Sequence, residues 1–194
     1  MYGGLIVGAA TVIFYAKKNG IAPVHIIDAT APSLMLAYGA GRIGCQLSGD
    51  GDWGIDNLNP KPASLSFLPD WAWAYNYPHN VNSVGIPIPG CASKHCMMLE
   101  NPVYPTPLYE AVICIGLFFV LWMLRKKISV PGILFCVYLL LNGSERFLIE
   151  RIRVNAEYNF AGLAFTQAQL ISALLIILGT AGIFYFLKKR NQPA

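Results

Sequence analysis

The segment that places this chain in a membrane is Gly39-Ala-Gly-Arg-Ile-Gly-Cys-Gln-Leu-Ser-Gly-Asp-Gly-Asp-Trp-Gly54, which leads from a long apolar run into a polar, glycine-rich loop. Its charged residues, Arg42, Asp50 and Asp52, therefore fall where hydrocarbon gives way to water. An arginine in an apolar span costs roughly 2.5–3.5 kcal/mol on insertion scales, so it is rarely retained without a role. The glycines would let a lipid headgroup or a neighbouring helix approach the backbone closely. The alternative interpretation is a snorkelling arginine beside an ordinary loop.

The composition indicates a membrane protein. Apolar residues make up 55% of the 194 residues and charged residues only 12%, and the mean hydropathy is +0.49. Such a profile favours a single polytopic membrane domain, residues 1–194, over a soluble core. The net charge of +4 does not indicate nucleic-acid binding, because 8 of the 14 basic residues lie in three clusters beside apolar runs. These clusters are Lys17-Lys18, Arg125-Lys126-Lys127 and Lys188-Lys189-Arg190.

The apolar runs predict an all-α integral membrane protein, a bundle of about five transmembrane helices with one long extracytoplasmic loop, 49–104. The predicted spans are 1–16, 29–47, 108–124, 131–153 and 167–187. In the third, Thr106 is predicted to cap the helix N-terminus, with Pro107 at the first helical position. A 16-residue first helix would reach about 24 Å, short of the roughly 30 Å of hydrocarbon. We therefore expect the chain to be shortened at its N-terminus, with upstream spans missing.

The basic clusters predict the orientation, because Lys and Arg accumulate on the cytoplasmic side of membrane proteins. With all three clusters inside, the first, third and fifth spans run outward to inward. The loop 49–104 and the turn 154–166 then both face outward. That loop carries two lysines against five acidic residues, a net charge of −3. The alternation leaves no basic cluster on the wrong side.

The five cysteines divide by location. Cys91 and Cys96 lie in the outward loop, where an oxidising compartment favours a disulfide. A zinc site that uses these thiols with His79 or His95 is the weaker alternative, because one C-x4-C pair lacks a second ligand pair. No metal or cofactor is predicted. The other cysteines are most simply packing residues: Cys45, Cys114 and Cys136.

The fourth span carries a charged stripe. Asn142, Arg146, Glu150 and Arg153 follow one another at spacings of 4, 4 and 3, so they line one face of a helix. Charges near the end of a span are tolerated when they face a polar cavity or one another. The alternative is a purely structural Arg146–Glu150 pair, although the additional arginines exceed what such a pair needs.

Arg42 and this stripe meet at the same level of the membrane. Guanidinium groups bind phosphate oxygens bidentately, and neighbouring carboxyl groups can hold or transfer a proton. The residues alone therefore predict a membrane-embedded site for a phospholipid headgroup. A small transporter or channel subunit would instead carry charges along a path through the membrane, whereas here they gather at one leaflet.

Four segments resemble the signature of the prolipoprotein diacylglyceryl transferase family. They are Gly41-Arg42-Ile43 followed by Gly49-Asp50 and Gly54; Pro105-Thr106-Pro107-Leu108-Tyr109-Glu110; Arg146-Phe147 with Glu150 and Arg153; and Tyr2-Gly3-Gly4-Leu5. The resemblance covers nearly the whole chain, in the right order and orientation.

The resemblance implies a multi-pass enzyme of the bacterial cytoplasmic (inner) membrane, with its active site toward the extracytoplasmic leaflet. It would move a diacylglyceryl group from phosphatidylglycerol to the lipobox cysteine of a prolipoprotein, the first step of lipoprotein maturation. Its partners would be membrane lipid and prolipoprotein signal peptides, with no nucleic acid. Arg42 would bind the lipid phosphate, and Arg146 with Glu150 would polarise the headgroup. Asp50 or Asp52 would stand at the family's glutamate, and Gly54 would belong to the lipid-binding site.

The sequence departs from the family pattern at several positions. Tyr2 stands where the family has a histidine, and Cys45 and Ser48 replace signature asparagines. Attack on the lipid needs a thiolate, and therefore a base or nearby positive charge. That role would fall to Glu150, a loop aspartate or Tyr2, or to arginine charge alone. The alternative function is an impaired homologue that binds phospholipid or lipoprotein precursor without transfer.

Overall fold

The computed structural model describes residues 2–154, 157–160 and 163–190, with side chains for all of these except residues 2, 5, 157–160 and 163–165. The described chain is mostly helical. Its five α-helices are α1 (Tyr2–Lys18), α2 (Pro23–Ser48), α3 (Thr106–Leu124), α4 (Ile133–Ile149) and α5 (Gln167–Arg190). Four short strands accompany them: β1 (Ile86–Pro87), β2 (Met97–Met98), β3 (Glu157–Phe160) and β4 (Leu163–Thr166). Single 3-10 turns lie at Ala63–Leu65, Asp70–Ala72 and Glu150–Ile152.

The five helices fall on the five predicted spans, but only part of the membrane prediction is supported. Two helices, α3 and α5, are long and apolar enough to cross a membrane. The helices α1 and α4 have 17 residues each, which is about 26 Å of helix. The helix α2 has 26 residues but carries histidine, aspartate and arginine within its length. The number of spans therefore remains a prediction.

Three boundary and class predictions need correction. The fourth helix ends at Ile149 and tightens into the 3-10 turn Glu150–Ile152, instead of running on to Arg153. The stretch predicted as a simple turn contains the antiparallel pair β3–β4, so the chain is not purely helical. Thr106 is the first residue of α3 and not its cap. Its hydroxyl donates instead to the carbonyl oxygen of Asp52, at 2.7 Å.

The core lies where α2, α3 and α4 meet. Its buried side chains come from all three helices, namely Ala31, Met35, Cys114, Leu121 and Leu134. The helices α4 and α5 pack so closely that a Cβ added at Gly143 would lie 2.8 Å from the carbonyl oxygen of Ser172. A Cβ at Gly179 would lie 2.7 Å from the carbonyl oxygen of Cys136. Small residues at such contacts are how helices associate closely in membranes.

The segment between α2 and α3 is folded back onto the helix ends. It begins at Gly49, whose left-handed backbone (φ 59°) ends α2. The buried Tyr77 hydroxyl donates to Oε1 of Gln46 at 2.6 Å, and burial raises the pKa of Tyr77. Farther on, β1 pairs with β2, and Cys91 is bonded to Cys96. The disulfide confirms the favoured prediction, and it removes the thiolates that the zinc alternative required.

Backbone hydrogen bonds then join the start of this segment to the ends of α3 and α4. The amide of Gly54 donates to the carbonyl of Tyr104, and the amide of Ile55 donates to that of Ile152, each at 2.9 Å. Gly54 also forms an isolated antiparallel bridge with Arg153. These backbone hydrogen bonds place Asp52, two residues before Gly54, at the ends of three helices.

Candidate active site

The site is built around Glu110, a carboxylate in the first turns of α3 whose side chain is 0% exposed. Its Oε2 accepts from the Tyr38 hydroxyl at 2.8 Å and pairs with Nε of Arg42 at 2.6 Å. Its Oε1 lies 3.0 Å from Nη1 of Arg153 and 3.4 Å from Nη1 of Arg146. A buried carboxylate needs such partners, because an unpaired charge in an apolar interior is very unfavourable. Glu110 thus gathers arginines from two helices and from the segment after α4.

Asp52 forms a second bridge within this arginine cluster. Its two carboxylate oxygens pair with Nη1 of Arg42 and Nη2 of Arg153. The Thr106 hydroxyl holds its backbone carbonyl, and Gly54 anchors the chain that follows it. Loop and helices therefore fix Asp52 jointly.

A third carboxylate orients the remaining arginine. Nη2 of Arg146 lies 3.4 Å from Oε2 of Glu150, one turn further along the chain. Oε1 of Glu150 accepts from the Thr166 hydroxyl at 2.6 Å. The same hydroxyl oxygen accepts the amide of Gln169 at 3.2 Å, the geometry of an N-cap on α5. The start of α5 is thereby tied to the arginine cluster.

The formal charges of this cluster cancel, since three guanidinium groups face the carboxylates of Asp52, Glu110 and Glu150. Arg146 is held most loosely: both of its ion pairs are 3.4 Å long, and its side chain is 21% exposed. Arg153, by comparison, is 6% exposed. Of the three guanidinium groups, that of Arg146 therefore has the most free hydrogen-bonding capacity for an incoming anion.

Comparisons with known proteins identify the family of this chain. A family model described as prolipoprotein diacylglyceryl transferase matches residues 1–185. The chain belongs to this family. Relatives named phosphatidylglycerol–prolipoprotein diacylglyceryl transferase, from Streptococcus pyogenes serotype M5 (strain Manfredo) and serotype M49 (strain NZ131), are each 30% identical over 195 residues. The alignments cover 99% of this chain and 62% of each relative, so the chain spans less than two thirds of their length. The family resemblance seen in the sequence is confirmed.

The structure brings together three of the residues that the family signature singled out: Arg42, Arg146 and Glu150. Gly54 forms a bridge with Arg153 and is packed so that a Cβ there would be 2.6 Å from the carbonyl oxygen of Ile152. The side chain of Tyr2 falls outside the described residues, so its predicted role stays a prediction.

Of the two aspartates offered for the family's glutamate, the structure brings Asp52 into the arginine cluster. Asp50 is exposed, and its Oδ1 accepts the amide of Asp52 at 3.4 Å. Asp52, and not Asp50, therefore pairs with the clustered arginines, while which of the two stands at the family's glutamate stays a prediction. The sequence could not decide this, because both aspartates lie in a glycine-rich turn whose path depends on the bonds at Gly54.

Sequence reasoning assigned no role to Glu110 or Tyr38, which are central here. In each case the sequence contained one indication of a functional role. Glu110 is the sole acidic residue of the apolar run 105–124, and intramembrane carboxylates usually belong to functional sites. Tyr38 precedes Arg42 by four residues, which puts both on one helix face. The guanidinium carbon of Arg42 lies 4.9 Å from the Tyr38 ring centroid.

One group of possible metal ligands lies at the edge of the site. Ligand atoms of Cys45, Asp50 and Asp52 lie within 4.8 Å of one another. Both oxygens of Asp52 already bind guanidinium groups, which compete with a cation for them. We therefore assign no metal to this group.

Proposed function

We propose that this chain transfers a diacylglyceryl group from phosphatidylglycerol to the lipobox cysteine thiol of a prolipoprotein. Family membership and the names of the relatives support this proposal. The single observation that carries it is the cluster of three arginines around one buried glutamate, at the end of an apolar helix bundle. Neither the family match nor the relatives support the impaired-homologue alternative.

In this proposal the lipid phosphate binds Arg146 and Arg42. The carboxylates already balance the arginines, so an added phosphate has to share a guanidinium group with them. Arg146 has two long ion pairs and an accessible side chain. It can therefore turn toward the phosphate with the smallest loss of ion-pair interaction. Glu110 and Glu150 would then act as positioning residues that aim the two guanidinium groups.

The reaction forms a C–S bond at the lipid's glycerol carbon while the C–O bond to phosphate breaks. The electron pair leaves on the oxygen of glycerol phosphate, so negative charge grows where the arginines are fixed. Donors aimed at developing charge stabilise the transition state more than the ground state. The thiol proton needs an acceptor. We assign it to Asp50, because the paired carboxylates of Asp52 and Glu150 are engaged by arginines; Tyr2 remains the other candidate.

We further propose that all five helices cross the bacterial cytoplasmic membrane, with the site and loop 49–104 on the extracytoplasmic side. The basic residues at the ends of α1, α3 and α5 support this orientation. Phosphatidylglycerol and prolipoprotein signal peptides would then reach the site from the membrane.

The test is transfer of a diacylglyceryl mass from phosphatidylglycerol to a lipobox peptide by purified protein in lipid vesicles. Arg42→Gln and Arg146→Gln should each lower the transfer rate on the order of 10²–10³-fold, as for loss of one oxyanion donor. Lysine at either position should restore only part of the rate, because a point charge does not replace the bidentate fork. Asp50→Asn should slow transfer more at neutral pH than at alkaline pH, where the thiol ionises without a base.

Arg151→Gln is the matched control. Arg151 is an exposed arginine five residues after Arg146, and its guanidinium carbon lies 5.7 Å from the Phe147 ring centroid. The Arg151→Gln variant should transfer at the same rate as the unsubstituted protein. Near-normal transfer by folded Arg42→Gln and Arg146→Gln would end the catalytic assignment and leave a purely structural ion-pair network.

A further inference from the structure

A cavity with a partly charged lining lies at the other end of the helix bundle. It has a volume of about 430 Å³ and opens between α2, α3 and α4. Its lining includes Asp28, Pro32, Trp122, Arg125, Lys126 and Leu134. Asp28 precedes Arg42 by 14 residues of the same helix, so the two sites are about 21 Å apart along α2. The cavity is therefore separate from the arginine cluster.

The two cations of this cavity outnumber its one carboxylate. Within residues 2–154, 157–160 and 163–190, neither Arg125 nor Lys126 forms an ion pair. Asp28 is the one acidic residue of the lining, and both of its oxygens are engaged. Oδ2 accepts the amide of Gly132 at 2.6 Å, and Oδ1 accepts the amide of Phe135 at 2.8 Å. Asp28 thus caps α4, and the cavity keeps an excess of positive charge.

The remaining surface of the cavity suits hydrocarbon. Pro32, Ile128 and Leu134 form apolar walls, and Trp122 is 44% exposed at the rim. The Arg125 guanidinium carbon lies 3.3 Å from the Trp122 ring centroid. Tryptophan and arginine at the end of an apolar helix are typical of the headgroup level of a bilayer.

We propose that this cavity binds an anionic phospholipid, with the headgroup phosphate on Arg125 and Lys126 and an acyl chain along Trp122 and Ile128. Basic pockets between transmembrane helices are where anionic lipid headgroups bind. The charge selects the class of lipid: a phosphate without a balancing ammonium group matches two unpaired cations, whereas a choline headgroup brings a third cation. The proposal does not depend on the transferase activity, because none of the cavity residues belongs to the arginine cluster.

Native mass spectrometry of delipidated protein, titrated with dioleoyl phosphatidylglycerol or phosphatidylcholine, tests this. All proteins carry Arg146→Gln so that the proposed substrate site contributes less to binding. Arg125→Gln/Lys126→Gln should weaken phosphatidylglycerol binding at one site by about tenfold, as expected for loss of charge-assisted bonds. Arg125→Lys should retain most of the binding, and phosphatidylcholine should bind weakly to every protein.

The charge-matched control is Lys188→Gln/Lys189→Gln, which removes two cations from the last turn of α5 and none from the cavity. It should bind phosphatidylglycerol as tightly as its parent. Unchanged binding by the Arg125/Lys126 variant, or an equal loss in the α5 control, would overturn the proposal. So would displacement of the lipid by millimolar glycerol phosphate, because the cavity would then recognise a free phosphate ester. Arg125 and Lys126 are exposed, so their substitution should leave the fold intact. Equal unfolding temperatures across the set of variants would verify this.

Discussion

Two buried glutamates close to each other show how a residue's partners determine its effect on stability. Glu110 is bound by three guanidinium groups and a tyrosine hydroxyl. Glu145, on α4, is 4% exposed, and neither of its carboxylate oxygens has a hydrogen-bond partner among the described residues. The charged groups that act on it are Glu110, Arg146 and Arg42. The same side chain is thus the centre of a network in one helix, and in the next it lacks a hydrogen-bond partner among the described residues.

These environments predict opposite effects on stability. Glu110→Gln should lower the free energy of unfolding by about 3–5 kcal/mol, because it leaves three largely buried guanidinium groups facing only two carboxylates. Glu145→Gln should be neutral or stabilising, because no ion pair or hydrogen bond is lost. Unfolding of both variants in the same detergent, followed by circular dichroism, measures the difference. A Glu145→Gln variant as unstable as Glu110→Gln would mean that Glu145 has an essential partner beyond the described side chains.

The site residues that were predicted from the sequence are those whose charge is energetically unfavourable in an apolar segment. Arg42, Arg146 and Glu150 were predicted because an ionised group in an apolar run needs a reason. Glu110 satisfies the same criterion, but its motif gave it no role. The choice between Asp50 and Asp52 depended on backbone bonds from Gly54 to Tyr104, residues fifty positions apart, which no local pattern reports.

At the scale of elements, the helices were predictable and their ends were not. Hydrophobic runs and basic clusters gave five segments, each of which contains a helix. The 3-10 turn at Glu150–Ile152 and the pair β3–β4 were missed. They matter because they return the chain to Thr166, whose hydroxyl holds Glu150. Tertiary contacts, and not local propensity, set these boundaries.

The contact between α4 and α5 depends on glycines, and this can be tested with a control in α3. Gly143→Ala and Gly179→Ala should each lower the free energy of unfolding by about 1–3 kcal/mol, because the new methyl group meets backbone atoms under 3 Å away. In α3, a Cβ at Gly116 meets nothing within 4 Å, so Gly116→Ala should be neutral or stabilising. Unfolding temperatures in one detergent give the comparison. Equal effects at all three positions would contradict the close-packed α4–α5 interface.

At the scale of the whole molecule, the two ends of the bundle differ in charge and in chemistry. One end gathers arginines with buried carboxylates around Glu110. The other carries the basic clusters and a cavity in which two cations face one carboxylate, that of Asp28. Lys and Arg close to the ends of spans accumulate on the cytoplasmic side of a membrane. The asymmetry therefore predicts an orientation that hydropathy alone leaves open.

Single cysteines at two exposed serines test that orientation. Ser64 lies in the segment between α2 and α3, and Ser129 lies between α3 and α4, near the basic cluster. In a Cys45→Ser background, Ser64→Cys should react with a membrane-impermeant maleimide on intact spheroplasts. Ser129→Cys should react only after lysis, because the short connection beside Arg125 faces the cytoplasm. The remaining free thiols, Cys114 and Cys136, are buried and should label weakly in both states. Labelling of Ser129→Cys before lysis, or protection of Ser64→Cys, would reverse the assignment and move the arginine cluster to the cytoplasmic leaflet.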